Sequence, residues 1–289
     1  MISKGMNIMS DNNFNNKKRI VVKVGSSTIT HDETGGIDYV KLEKLVRILC
    51  DLKNKGMDVC LVSSGAIAVG RASLGIKDKP RQLSTRQALA SIGQAALITI
   101  YQKIFAEYNQ RIGQVLLTKN NMTDDENRTN AQNTFMSLFD MGIIPIINEN
   151  DTVSTYEMQF GDNDTLSAIV ASIVGADGLI LLSDIDGLYT SNPRENADAK
   201  LIPVVDELTD EVMAMGSGAT GSSVGTGGMA TKLKAAQIAS ASGCDMIIIN
   251  GDDMDNLAAI FENDIRGTLF KAKGTNDAKT IEIIKEILE

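Results

Sequence analysis

The sequence predicts an α/β protein, a three-layer α/β/α sandwich with a mainly parallel central sheet. Three observations predict it. The apolar runs are short, rich in Val and Ile and free of polar alternation, which suits strands buried on both faces of a parallel sheet. Longer segments between them carry apolar residues at helical spacing. Strand and helix alternate almost throughout, and that alternation packs helices on both faces of one sheet.

In chain order, strands are expected at 19–24 (RIVVKV), 58–62 (DVCLV), 114–117 (QVLL), 142–148 (GIIPIIN), 178–182 (GLILL) and 245–250 (DMIIIN). Helices are expected over 40–54, 84–108, 127–140, 165–174, 229–241 and 257–265. Gly56, Gly142, Gly175 and Gly243 follow helical segments and fit left-handed C-caps. The last stretch, KTIEIIKEILE, reads as an amphipathic helix or a strand plus helix. Residues 1–18 are Asn-rich without an apolar core, so they read as a disordered leader rather than a signal peptide, and 19–289 as a single domain. The one flexible interruption is the Gly-rich loop 216–228.

Composition narrows the partners. A net charge of −9 argues against a general grip on nucleic acid, which needs a basic face, yet permits a basic pocket for a small anion. No run is long enough to span a bilayer. Cys50, Cys60 and Cys244 are odd in number and lack metal spacing, so they read as core residues of a protein in the reducing cytoplasm.

Ligands of such a sheet bind outside the carboxyl ends of its strands. The residues there are Lys23-Val-Gly25-Ser-Ser, Ser63-Ser64-Gly65, Asn148-Glu149-Asn150-Asp151 and Ser183-Asp184. Lys23 is a charge inside an apolar strand, costly unless paired. It is either an edge-strand lysine in water or a functional cation. Lys232 falls near the start of a helix, where a cation opposes the macrodipole. Either it is solvated at a small penalty, or something strongly negative faces it. Gly225, Gly227 and Gly228 just before that helix allow close backbone approach to an anion, although no Walker A loop is present. Gly161-Asp162-Asn163-Asp164 precedes another helix; one of these residues caps it, and the rest exceed what a cap requires.

His31, the single histidine, lies in a polar loop, which disfavours Ser-His-Asp, Cys-His and His-rich metal chemistry. A reaction needing no general base fits better. A carboxylate is already a nucleophile at neutral pH, so its attack on the terminal phosphate of ATP reduces to alignment and charge neutralisation.

Taken together the motifs identify a resemblance. VVKVGSS, VSSGAIAVGR, QVLLT, INENDTV, FGDNDTLSA, LLSDIDGLYTSNPR, GTGGMATKLKAA and GTLF occur in this order from about Arg19 to Ala272. The chain resembles the glutamate 5-kinases of the amino acid kinase superfamily. The resemblance implies transfer of the ATP γ-phosphoryl, with Mg2+ on the phosphates, to the side-chain carboxylate of L-glutamate in proline biosynthesis. It implies Lys23 and Lys232 as the charge-stabilising lysines, with Asp162 holding them in register. Ser64, Asp151 and Asn163 would bind glutamate. Lys23, Ser183, Asp184 and the stretch Thr226, Gly227, Gly228, Met229, Ala230, Thr231 and Lys232 would bind ATP. It also implies feedback by proline and a dimeric or tetrameric assembly. The chain departs from many relatives in stopping without their additional C-terminal domain and in carrying Asn192 where they have Asp. The rival readings are a sister kinase for another small carboxylate, a catalytically silent nucleotide-binding subunit, and a nucleic-acid-binding protein. Both lysines and the glycine loop disfavour the second, and the charge the third.

Overall fold

In the computed structural model, which describes residues 14–31, 33–78, 80–119, 123–155, 163–218 and 228–288, a single eight-stranded sheet runs through the protein. Its strands are β1 Arg19–Val24, β2 Asp58–Ser63, β3 Ile112–Leu117, β4 Ile144–Glu149, β5 Gly178–Ser183, β6 Val204–Val205, β7 Asp245–Asn250 and β8 Gly267–Phe270. The spatial order is β3-β4-β2-β1-β5-β7-β8-β6. The first six in that order are mutually parallel; β8 runs antiparallel to β7, and β6 pairs parallel with β8. The predicted three-layer class is therefore the observed one.

The helices are α1 Ser26–Ile29, α2 Tyr39–Asn54, α3 Ala66–Ser73, α4 Leu83–Glu107, α5 Asp125–Asp140, α6 Asn163–Val174, α7 Asp210–Ala214, α8 Met229–Ala241, α9 Asp255–Ile260 and α10 Asp277–Leu288. Alternate residues of each strand face opposite layers. Val21, Val62 and Leu181 join α5, α6 and α8 in one core, while Val22, Leu61 and Ile180 join α2, α4 and α9 in the other. Every residue of α6 except Ser172 is buried, so this helix is the hydrophobic centre of its layer.

Gly56, Gly142, Gly175 and Gly243 all have positive φ, as the C-cap reading requires. The helix expected to 265 ends at Ile260, and Asn263 at φ 61° turns the chain into β8. The chain is ordered before Arg19, inside the stretch expected to be a leader. Phe14 is fully buried, its ring edge-on to Phe261 at 6.4 Å, and Lys17 pairs with Asp245 at 2.6 Å. The Lys18 N–H also donates to Asp177 Oδ2 at 2.8 Å, so residues 14–18 are tied down at three points.

Candidate active site

The candidate site lies at the carboxyl end of β1, which has β2 as its neighbour on one side and β5 on the other. Lys23 occupies that point. It pairs in register with Val62 of β2 and Leu181 of β5, so β1 is an inner strand and the edge-lysine alternative is excluded. Because Val21 faces the α6/α8 layer, the two-residue period turns Lys23 the same way. Its ammonium meets Asp164 Oδ1 at 2.5 Å, in the first turn of α6. Lys232 Nζ, from the first turns of α8, donates to Asp164 Oδ2 at 3.0 Å. All three are nearly sealed from water, with relative exposures of 8, 1 and 4% for Lys23, Asp164 and Lys232. Burial alone would push the Asp164 carboxyl up; the adjacent ammonium groups of Lys23 and Lys232 outweigh it and hold the group down at about 2. The α6 dipole favours the same ionised form. Two cations share one carboxylate, so the cluster keeps an excess positive charge in a low-dielectric setting, where it favours an anion strongly.

On the β2 and β4 side the strand ends are tied together by amides. Asn163 Nδ2 donates to Ser64 Oγ at 2.8 Å, Asn148 Oδ1 at 2.9 Å and the Ser63 carbonyl at 3.2 Å. Asn163 Oδ1 accepts from no described residue, so this wall offers an acceptor to an incoming donor. Gly65 follows at φ 106°, a left-handed turn that carries the chain from β2 straight into α3. Asp151 sits just beyond β4, half-buried. Loss of hydration raises its carboxyl above the ordinary range, against the lowering effect of the Arg86 charge.

On the β5 side a cleft is lined by Asp184, Leu188, Pro193, Met215, Met229 and Lys232 among others. Lys232 belongs both to this cleft and to the Asp164 cluster, so a ligand lying in the cleft reaches the excess charge at one end. One wall, the turn after β5, is locked to β8. Thr268 Oγ1 accepts from Leu188 N at 2.8 Å and donates to the Ile202 carbonyl at 2.7 Å. A side chain at Gly187 would lie 2.4 Å from that hydroxyl, so only glycine permits the contact. Ser183 Oγ donates to Asp184 Oδ1 at 3.2 Å, and Thr231 Oγ1 to the Gly228 carbonyl at 2.8 Å.

The structure thus gathers Lys23 and Lys232 in one cluster, Ser64 and Asn163 on one wall, and Asp184, Gly228 and Met229 in one cleft. Ser183 and Thr231 adjoin that cleft, and Ala230 is exposed. Asp162, Thr226 and Gly227 lie outside the described residues. Asp162, expected between the lysines, is among those undescribed residues; of the described carboxylates it is Asp164 that pairs with both lysines. The sequence marked 161–164 as holding more polar residues than a cap requires, but not which of them turns inward. Asp164 also supplies part of the negative charge that the position of Lys232 demands. Asn148, near the end of β4 and visible only as the first of four polar residues after the apolar run 143–147, is the second participant not singled out.

The amino acid kinase family model matches residues 18–250. The chain is 50% identical over 260 residues to a glutamate 5-kinase of Clostridium acetobutylicum, covering 90% of this chain and 97% of that one. It is 51% identical over 255 residues to a glutamate 5-kinase of Clostridium tetani, covering 88 and 95% respectively. Among solved structures, UMP kinase from Ureaplasma parvum superimposes with a TM-score of 0.61 at 16% identity, over 88% of this chain and 99% of that one. At that identity the likeness extends to the fold.

Proposed function

The chain belongs to the amino acid kinase family and, within it, to the glutamate 5-kinases, and on that premise we propose how its residues divide the work of the reaction. It phosphorylates the side-chain carboxylate of L-glutamate, the first step of proline biosynthesis, with ATP as donor. The observation that carries our assignment is the buried Lys23–Asp164–Lys232 cluster at the junction of the two walls. The β5-side cleft takes the nucleotide, with Ser183, Asp184 and 228–232 around it and the triphosphate running to Lys232; Thr226 and Gly227 are assigned to ATP on the family likeness alone. The β2/β4 wall takes glutamate through Ser64, Asn163 and Asp151, the last facing the ammonium. The γ-carboxylate and γ-phosphoryl then meet in front of the lysines.

The chemistry asked of the protein is small. The acceptor carboxylate attacks phosphorus, the bond to the β-phosphate oxygen breaks, and no proton moves. Two anions must be held in line, and the charge spreading over the transferring group must be neutralised. Lys23 and Lys232 supply that neutralisation. Asp164 keeps them fixed, so they need not reorganise as the transition state forms. Mg2+ bound with the nucleotide would add to the charge neutralisation that Lys23 and Lys232 supply. A cytoplasmic setting, self-association and feedback by proline at the glutamate wall complete the proposal. Among the described residues, no helix is long and apolar enough to cross a membrane.

The test is ADP release from Mg-ATP with L-glutamate, L-aspartate or N-acetyl-L-glutamate, with hydroxylamine trapping the acyl phosphate. Glutamate-dependent ADP with matching hydroxamate is expected. Turnover with another acceptor alone would overturn the assignment of Ser64, Asn163 and Asp151.

A further inference from the structure

Behind the β2/β4 wall lies α4, and its middle is registered against that wall at three successive points. Gly93 lies so close to α3 that a Cβ there would sit 1.7 Å from the Ala66 carbonyl, two residues after Ser64. Two turns further on, the fully buried Tyr101 hydroxyl shares a hydrogen bond of 2.8 Å with Ser63 Oγ. Between them, Gln94 Oε1 accepts from Asn148 Nδ2 at 2.9 Å.

The last contact decides the state of the acceptor wall. Asn148 is only 4% exposed, so both ends of its amide need partners. Its Oδ1 is committed: the Glu149 backbone N–H donates to it at 2.9 Å, and so does Asn163 Nδ2 at 2.9 Å. A backbone N–H cannot reverse its role, so Nδ2 must point the other way, where Gln94 meets it. Asn163 Nδ2 is likewise committed to Asn148 and to the carbonyl of Ser63, which leaves its Oδ1 as the outward acceptor. The polarity presented to a substrate is thus fixed by the Glu149 N–H and the Ser63 carbonyl, and Gln94 completes the chain by holding the other end of the Asn148 amide in place.

We propose that Gln94 is a positioning residue for the amino-acid acceptor, fixing through Asn148 the amide of Asn163 that receives the substrate. This rests on the glutamate 5-kinase reading of the site. Gln94→Met keeps the length and removes the acceptor, leaving Asn148 Nδ2 buried without a partner. A loss of this kind is worth roughly a tenfold change in binding. The KM for glutamate rises about tenfold, while kcat and the KM for ATP stay within about threefold.

The experiment is a double-mutant cycle of Gln94→Met with Asn148→Ala, read as KM for glutamate, KM for ATP and melting temperature. In the Asn148→Ala background the Gln94→Met effect vanishes, because its route is gone. A glutamate KM unchanged in Gln94→Met, or a rise that persists undiminished beside Asn148→Ala, overturns the proposal. So does an equal rise in the KM for ATP, the mark of a general structural defect. Should Gln94→Met fail to fold, Gln94→Ala, a strong helix former, takes its place in the cycle. Wild-type protein is assayed first: absence of glutamate turnover there overturns the functional reading instead, and the cycle is then read on the acceptor that does turn over.

Discussion

Asp164 is asked to hold two ammonium groups where water scarcely reaches, and its removal is not the most informative perturbation. Either lysine alone still leaves the carboxylate paired. Lys23→Met or Lys232→Met therefore retains the fold and loses about 10²- to 10³-fold in kcat, the scale of losing one preorganised positive donor. Lys23→Met/Lys232→Met leaves a buried carboxylate with no counter-charge, which costs about 3–5 kcal/mol of stability at neutral pH. The sign of the pH dependence then reverses. In the wild type the group is held down, from 3.8 to about 2, so its stabilisation is complete above the first value and lost as pH falls through the second. Without the lysines only burial remains, which raises the group, and the folded state then gains from protonation as pH falls. Melting curves of both proteins from about pH 8 to about pH 4 check this: the gap between them narrows toward acid. A gap that widens would mean Asp164 is not held ionised by these two lysines. Lys23 was legible in the sequence because a charge inside RIVVKV is costly unless paired, with an edge strand as the one bland alternative. Asp164 was not, because an Asp at a helix start has a ready explanation as a cap.

The elements that hold the site differ in how plainly sequence announces them. Five of the six parallel strands are buried nearly throughout and are written as largely apolar runs, because burial on both faces allows little else, whereas β3 at the sheet edge is mostly half-buried. Val204–Val205 and Gly267–Phe270 are too short to show any period, and they become strands only through pairing with each other and with β7. α3 was missed for a different reason. Its eight residues, AIAVGRAS, contain a glycine that sequence reads as a breaker, whereas the structure uses it for close approach. A Cβ at Gly70 would lie 2.0 Å from the Leu89 carbonyl, as one at Gly93 would lie 1.7 Å from that of Ala66. The α3/α4 crossing is a reciprocal glycine contact, and it sets the distance from α4 to the loop Ser64-Gly65. Gly93→Ala forces the helices apart, at about 1–3 kcal/mol or more of overpacking. Ser64 moves with α3, so the melting temperature falls and the KM for glutamate rises several-fold while that for ATP holds. Thermal melts and the two KM values on the same preparation check it. An unchanged glutamate KM would separate this crossing from the acceptor wall.

At the scale of the whole molecule, the strand order explains how one cluster can face both substrates in the proposed arrangement. β1 is the hinge of the topology, with the β2 and β4 ends on one side and the β5 and β7 ends on the other. Nothing in that arrangement requires the two substrates to share protein partners, apart from the charges at the junction. A consequence is separability. Ser64→Ala removes the hydroxyl that receives Asn163 Nδ2 and raises the KM for glutamate by about tenfold, the scale of one hydrogen bond to a charged ligand. Asp184→Asn, in the opposite wall, acts on the KM for ATP instead. Combined, their losses in kcat/KM multiply, since perturbations at independent sites add in free energy. Steady-state kinetics of the two single variants and the double variant, with each substrate varied at saturation of the other, measure the product directly. A double variant markedly better or worse than that product would mean that the walls close on one another during turnover. β1 would then be an axis of motion rather than a fixed divider, and the lysines would be assembled by binding rather than waiting for it.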